Sequence, residues 1–238
     1  AIVPDLIANA KKVGITTLWA SQELPARPPM LPNYGAVKTW NFDRATLESI
    51  RPAIPYLPGS TEFNTDLAEL QRINESQTRE QAAIANYWAD GPGSYTPPGH
   101  WHRYACQAGV DAKYSEVRMA RLLAYVGTAL MDAGIACWET KYFYYSPRPQ
   151  QFGLKTSVGL PNFPSYTSGH STFSYAAATV LAAFFPDRSN TFLANAQQAS
   201  DSRVYGLIHF RVDCTMGGKH GKAIGTYAVQ KANADGAQ

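Results

Sequence analysis

Charge is scarce in this 238-residue chain: 16% of its residues are Asp, Glu, Lys or Arg, and the net charge is +3. No basic run or stripe stands out, so no nucleic-acid partner is expected. Cysteine is rare, three residues in all, with no C-x-x-C spacing. That argues against a disulfide-built scaffold or a zinc ribbon. Cys106, Cys137 and Cys214 are expected as three buried thiols, with one disulfide plus a free thiol as the alternative. No run reaches the roughly 20 continuous apolar residues of a membrane span, so none is expected. The longest apolar run, around residues 175–185, is rich in alanine and reads as a buried helix. Strand-type alternation and internal repeats are also missing. The sequence has no starting Met and no basic-then-apolar leader. It reads as a mature form or as a fragment of a longer chain.

What is present is long enough to bury a sizeable core. Residues 1–60 hold Pro25, Pro28, Pro29, Pro32, Pro52, Pro55 and Pro58 and have little period. They are expected to form an irregular wrapping segment, with a short helix at Pro4–Lys12 and a helical turn at Arg44–Ser49. Residues 61–238 read as one helical domain. Phe63, Leu67, Leu70 and Ile73 recur at spacings of three and four. Thr78 followed by Gln81 signals a capping box and a second helix ending at Tyr87 or Trp88.

Gly91-Pro92-Gly93 and Pro97-Pro98-Gly99 read as a loop, with His100 and His102 at its end. Those two histidines form an H-x-H that could hold a metal, though no acidic or cysteine cluster accompanies them. Further helices are expected at Ser115–Tyr145, Ser168–Phe185, Asn190–Val204 and His209–Lys231, the last kinked at Gly217 and Gly218. The fold expected is all-α, a bundle of about seven or eight helices.

Three segments between Lys141 and Asp213 carry chemistry. In KYFYYSPRP, Lys141 stands seven residues ahead of Arg148, which Pro147 and Pro149 hold on a stiff backbone. Alone, the pair reads more readily as two surface cations. Ser168-Gly169-His170 opens an apolar run, where a helix N-terminus would present free amides to an anion. A capping serine explains that tripeptide as well. In SRVYGLIHFRVD, Arg203 precedes His209 by six residues and Asp213 follows it by four. On one helix, His209 and Asp213 would share a face, the carboxylate fixing the imidazole tautomer and leaving Nε2 free. A buried hydrogen-bonded pair is the plainer reading. Together the segments supply three cations, two neutral donors and two imidazoles, a set suited to a tetrahedral oxyanion becoming trigonal bipyramidal.

The ordered motifs K-x6-R-P, S-G-H and S-R-x5-H-x3-D resemble the signature shared by type 2 phosphatidic acid phosphatases, bacterial acid phosphatases and vanadium-dependent haloperoxidases. Thr167 stands where a proline commonly precedes S-G-H. The bacterial haloperoxidase branch is the most similar, through ANYWADGPGSYTPPGHW, MDAGIACWETKYFYYSPRP, FPSYTSGHSTFS and SRVYGLIHFRVD, over roughly residues 58–230.

The resemblance implies a helical bundle of the vanadium haloperoxidase and acid phosphatase type, with vanadate as cofactor. His209 would be the axial metal ligand, and Lys141, Arg148, Ser168, Gly169 and Arg203 would hold the equatorial oxygens. His170 would be the acid–base residue, and Asp213 would orient His209. Hydrogen peroxide and halide would be the substrates. In the phosphatase alternative the pocket takes a phosphate ester, with a phosphohistidine at His209 and His170 protonating the leaving group. A non-catalytic anion-binding helical module is the second alternative. Related haloperoxidases usually carry a further helical half upstream, so pairing with a missing N-terminal half, or a homo-oligomer, is expected. The superfamily is often exported, which implies an extracytoplasmic location.

Overall fold

The computed structural model describes residues 2–237. Nine α-helices occur among them, with no strand. Helix α1 (Ile2–Lys12) leads into an irregular segment holding one 3-10 turn (Tyr34–Ala36) and the short α2 (Arg44–Ser49). Then follow α3 (Thr61–Ser76), α4 (Arg79–Tyr87), α5 (Thr96–Asp111), α6 (Glu116–Tyr144), α7 (Gly169–Phe184), α8 (Ser189–Tyr205) and α9 (Arg211–Asn233).

Most helix starts follow from capping side chains. The Ser60 and Ser115 hydroxyls accept the amides of Phe63 and Arg118, and Thr78 and Gln81 form a reciprocal capping box. α5 corrects the sequence reading, since Pro97, Pro98 and Gly99 fill its first turn instead of a loop. Proline is tolerated there because the first helical N–H groups have no partner in the helix anyway. The structure thus places His100 and His102 on a helix. His100 is buried against Asp90 (Nδ1 to Oδ2 3.0 Å) and Tyr87, while His102 lies beside Gly127 of α6.

The core is built of alanine and aromatics. Ala129, Ala133, Ala136, Ala176, Ala177 and Ala178 are all fully buried where α6 and α7 pass through the centre. By length and composition α6 could cross a bilayer, yet its buried face carries Asp132, Glu139 and Lys141. Asp132 receives the backbone amides of Trp40 (2.7 Å) and Asn41 (2.9 Å), which ties the N-terminal segment to α6. Tyr142 and Tyr144 donate to the carbonyls of Met30 (2.5 Å) and Pro52 (2.8 Å), so two of the aromatics in the first motif fasten the wrapping segment.

α9 is continuous through Gly217 and Gly218, with no break at the expected kink. Its glycines serve a close approach to α7. An ideal Cβ would lie 2.9 Å from Ser168 O at Gly217, 2.3 Å from Thr172 O at Gly221 and 2.6 Å from Ala176 O at Gly225. Only hydrogen fits at these three positions, one turn apart. Cys106 is exposed, contrary to expectation, while Cys137 and Cys214 are buried; all three are free thiols.

Candidate functional site

Lys141 occupies the last turn of α6, where the negative end of the helix dipole favours a cation. The helix stops at Tyr145, whose left-handed backbone (φ 50°) turns the chain toward Arg148. Tyr145 is held there by the bond from its amide to Lys141 O (2.8 Å) and by the amide of Trp19 on its own carbonyl (2.9 Å).

Lys141 and Arg148 are both buried and share one backbone stretch. Lys141 Nζ donates to the carbonyls of Pro164 (3.0 Å) and Ser165 (2.6 Å). Arg148 donates from Nε to Phe163 O (2.8 Å) and from Nη1 to Ile208 O (2.7 Å). Both cations also stand 5.1 Å from the centroid of the Phe163 ring. Arg203, in the last turn of α8, donates to Ser202 Oγ (3.0 Å) and to the carbonyls of Trp88 (2.8 Å) and Ala85 (3.2 Å) at the end of α4.

The N-terminus of α7 faces this group. Ser168 caps the helix by accepting the Ser171 amide (3.3 Å), and its own amide donates to Asp213 O (3.0 Å). That commitment removes the Ser168 amide from the donors expected for an anion, leaving its hydroxyl proton and the Gly169 amide. An ideal Cβ on Gly169 would meet nothing closer than Phe173 and Trp138, both at 3.8 Å, so packing alone does not require glycine there. His170 follows in the first turn, and its Nε2 is sealed from solvent with no hydrogen-bond partner.

His209 and Asp213 meet, though not on one helix face as the spacing suggested. α9 begins at Arg211, so His209 lies in the link before it and Asp213 in the first turn. The link folds back so that His209 Nδ1 stands 3.0 Å from Asp213 Oδ2. Asp213 Oδ2 also takes the Phe210 amide (3.1 Å), and Asp66 of α3 takes the Val212 amide (2.8 Å). These two carboxylates satisfy the first free amides of α9 and favour its dipole.

Burial sets the electrostatics. Lys141, Arg148 and Arg203 are 0%, 1% and 1% exposed, with Asp213 among them at 2%. Burial lowers Lys141 to about 8, and Arg148 and Arg203 to about 10. Burial, then the nearby Arg148, Lys141 and Arg203, hold His209 well below the ordinary imidazole range. Burial and Arg203 do the same to His170. Both rings are therefore neutral at pH 7. Burial raises Asp213 to about 6, against the pull of Ser165 and Lys141.

The residues singled out in the three segments thus gather in one region, where Lys141, Arg148, Ser168, Arg203, His209 and Asp213 are buried and Gly169 and His170 are half-buried. Three partners were not legible in the motifs. Ser165 bonds Asp213, the carbonyls of residues 163–165 hold two cations, and the end of α4 holds the third. Only the F-P-S-Y run just ahead of S-G-H hinted at the first two.

Residues 121–235 match the model of the PAP2 superfamily. The matched stretch runs from within α6 to just past the end of α9 and contains all three motifs. Among solved structures the chain is similar to a bacterial vanadium-dependent iodoperoxidase, at 25% identity and a TM-score of 0.80. The match covers 94% of this chain and 64% of that one. It is also similar in fold to a bacterial vanadium-dependent chloroperoxidase in apo form (14% identity, TM-score 0.73) and in holo form (14%, 0.69). Coverage there is 94% of this chain in both, and 64% and 63% of the neighbours' chains. The chain therefore spans just under two thirds of the length of these neighbours. Comparison with curated proteins gives no match. The fold is the all-helical one of the vanadium haloperoxidases.

Proposed function

We propose that this chain carries the site of a vanadium-dependent haloperoxidase, oxidising halide with hydrogen peroxide. One observation carries the reading: three cations buried beside a neutral His209, with the sealed Nε2 of His170 lacking any partner. Buried cations with so little opposing charge favour an anion between them, and a tetrahedral oxyanion fits a donor set of guanidinium, ammonium, hydroxyl and amide. Vanadate fits these residues.

In this reading Arg148, Arg203, Lys141, Ser168 and Gly169 would hold the vanadate oxygens, and His209 would offer its Nε2 lone pair to the metal. Bound vanadate would supply Lewis-acid activation of hydrogen peroxide without changing its own oxidation state. Asp213 accepts the Nδ1 proton of His209, which keeps the lone pair on Nε2. His170, neutral and with no partner on Nε2, would take a proton from peroxide and return it as water leaves. The carbonyls that hold Lys141, Arg148 and Arg203 orient their remaining N–H groups before any ligand arrives. Hydrogen peroxide, halide and a proton would then yield hypohalous acid and water.

The PAP2 match favours a second reading with the same residues. There His209 Nε2 attacks a phosphate ester, the cations clamp the equatorial oxygens, and His170 protonates the leaving group. Phosphate and vanadate are nearly the same shape, so the ligand set serves both. An extracytoplasmic location, and pairing with another chain or segment, belong to this proposal as well.

Bromination of a phenol-red-type dye with peroxide and bromide, with and without vanadate, separates the readings when run beside phosphate-ester hydrolysis. Vanadate-dependent bromination lost in His209→Ala supports the haloperoxidase. Phosphate release that vanadate inhibits, without bromination, overturns it in favour of the phosphatase. Anion binding with neither activity leaves the anion-binding module.

A further inference from the structure

Ser165 touches both halves of the site. Its carbonyl accepts Lys141 Nζ at 2.6 Å, and its hydroxyl lies 2.5 Å from Asp213 Oδ2 and 3.2 Å from His209 Nδ1. Its amide donates to Ser146 O at 3.1 Å, which fixes the backbone between the two. The residue is 0% exposed.

A proton count shows what the hydroxyl does. Asp213 Oδ2 faces three donors: Ser165 Oγ, His209 Nδ1 and the Phe210 amide. With the imidazole proton on Nδ1, every group is satisfied: N–H to Oδ2, with Ser165 Oγ as a second, longer acceptor, and Ser165 O–H to Oδ2. With the proton on Nε2 instead, a bare Nδ1 lone pair would face the carboxylate at 3.0 Å. The serine proton could then turn to only one of them, leaving Asp213 Oδ2 without its shortest donor. The closed triangle therefore disfavours the wrong tautomer twice, once through Asp213 and once through Ser165.

We propose that Ser165 is a positioning residue. Its hydroxyl, with Asp213, locks His209 with Nε2 free, while its carbonyl sets the Lys141 ammonium on the same anion. This rests on reading the site as an oxyanion site. Replacing the side chain removes the hydroxyl arm and leaves the carbonyl arm intact.

The test uses protein labelled with 15N at histidine, in Ser165→Ala and Ser165→Thr variants. Long-range 1H–15N correlation of the unliganded protein reads the His209 tautomer directly. Titrations with orthovanadate and with inorganic phosphate read affinity. Wild type is expected to show one tautomer, protonated at Nδ1. Ser165→Ala is expected to show both, with affinity weakened about tenfold, and Ser165→Thr to recover both readouts. A single unchanged tautomer in Ser165→Ala overturns the proposal, whatever happens to affinity, because loss of affinity alone would mark a merely structural residue. If the alanine variant does not fold, Ser165→Cys replaces it, and an unchanged tautomer there is equally fatal. If wild type binds neither anion, the reading of the site fails, and the tautomer measurement still decides the role of Ser165.

Discussion

The amide of Ser168 donates to the carbonyl of Asp213 at 3.0 Å, so the second and third motifs are joined by one backbone hydrogen bond. That bond exists because α9 lies against α7 at glycine contact distance. The start of α7 and the start of α9 thereby come together, and His170, His209 and the cations face one another.

Gly221→Val should break this arrangement. A Cβ there would stand 2.3 Å from a backbone oxygen, which cannot swing aside as a side chain can. We expect a loss of about 3 kcal/mol of stability by urea denaturation and weakened binding of phosphate. Ala223→Val, on the same helix at a half-buried position, should cost much less.

Lys141 gives a pH dependence of defined sign. Its proton leaves at about 8 in the folded protein and near the ordinary lysine value of 10.5 in the unfolded chain. Between these values the unfolded chain binds more protons, so stability should rise with pH, by on the order of 3 kcal/mol at most. A bound oxyanion favours the charged ammonium, so stabilisation by phosphate should shrink over the same window. Thermal melts from pH 7 to 10.5, with and without phosphate, check both statements. Lys141→Met should abolish the difference.

Arg203→Lys should separate charge from geometry. The ammonium keeps the charge but cannot serve Trp88 O, Ala85 O and an anion together from one planar fork. Vanadate or phosphate affinity should fall about tenfold, with a stability loss of about 1–2 kcal/mol for the carbonyls left without a partner. Calorimetric titration and denaturation measure the two effects separately.

The thiols should differ in reactivity. Cys106 is exposed, whereas Cys214 is buried and its thiol is pushed up to about 12, chiefly by burial. Iodoacetamide on the native protein should add one adduct, at Cys106, and three after unfolding; mass spectrometry reads the count. Adducts at Cys214 in the native state would contradict the packing described.

Much of the helical pattern was legible because caps and apolar spacing act locally. Thr78 with Gln81, and the serines at 115 and 168, start helices where their side chains reach the next amides. α5 was not legible because proline in a first turn looks like proline in a loop until the rest of the helix is packed. Lys141, Arg148, Ser168, His170, Arg203 and His209 stood out because chemistry limits which side chains can hold an oxyanion. Ser165 did not, since a serine inside a loop carries no signal until Asp213 comes to lie 2.5 Å away.

The sequence alone determined an all-α chain, its capped helix starts and the residue types able to grip one anion, because those depend on near neighbours and on side-chain chemistry. Only the tertiary structure decided that His209 meets Asp213 from outside the helix, and that backbone carbonyls hold Lys141, Arg148 and Arg203. It also turned the glycines of α9 from a suspected kink into a packing face against α7. Each of these depends on groups far apart in the chain, brought within a few ångströms by helix packing that no local pattern encodes.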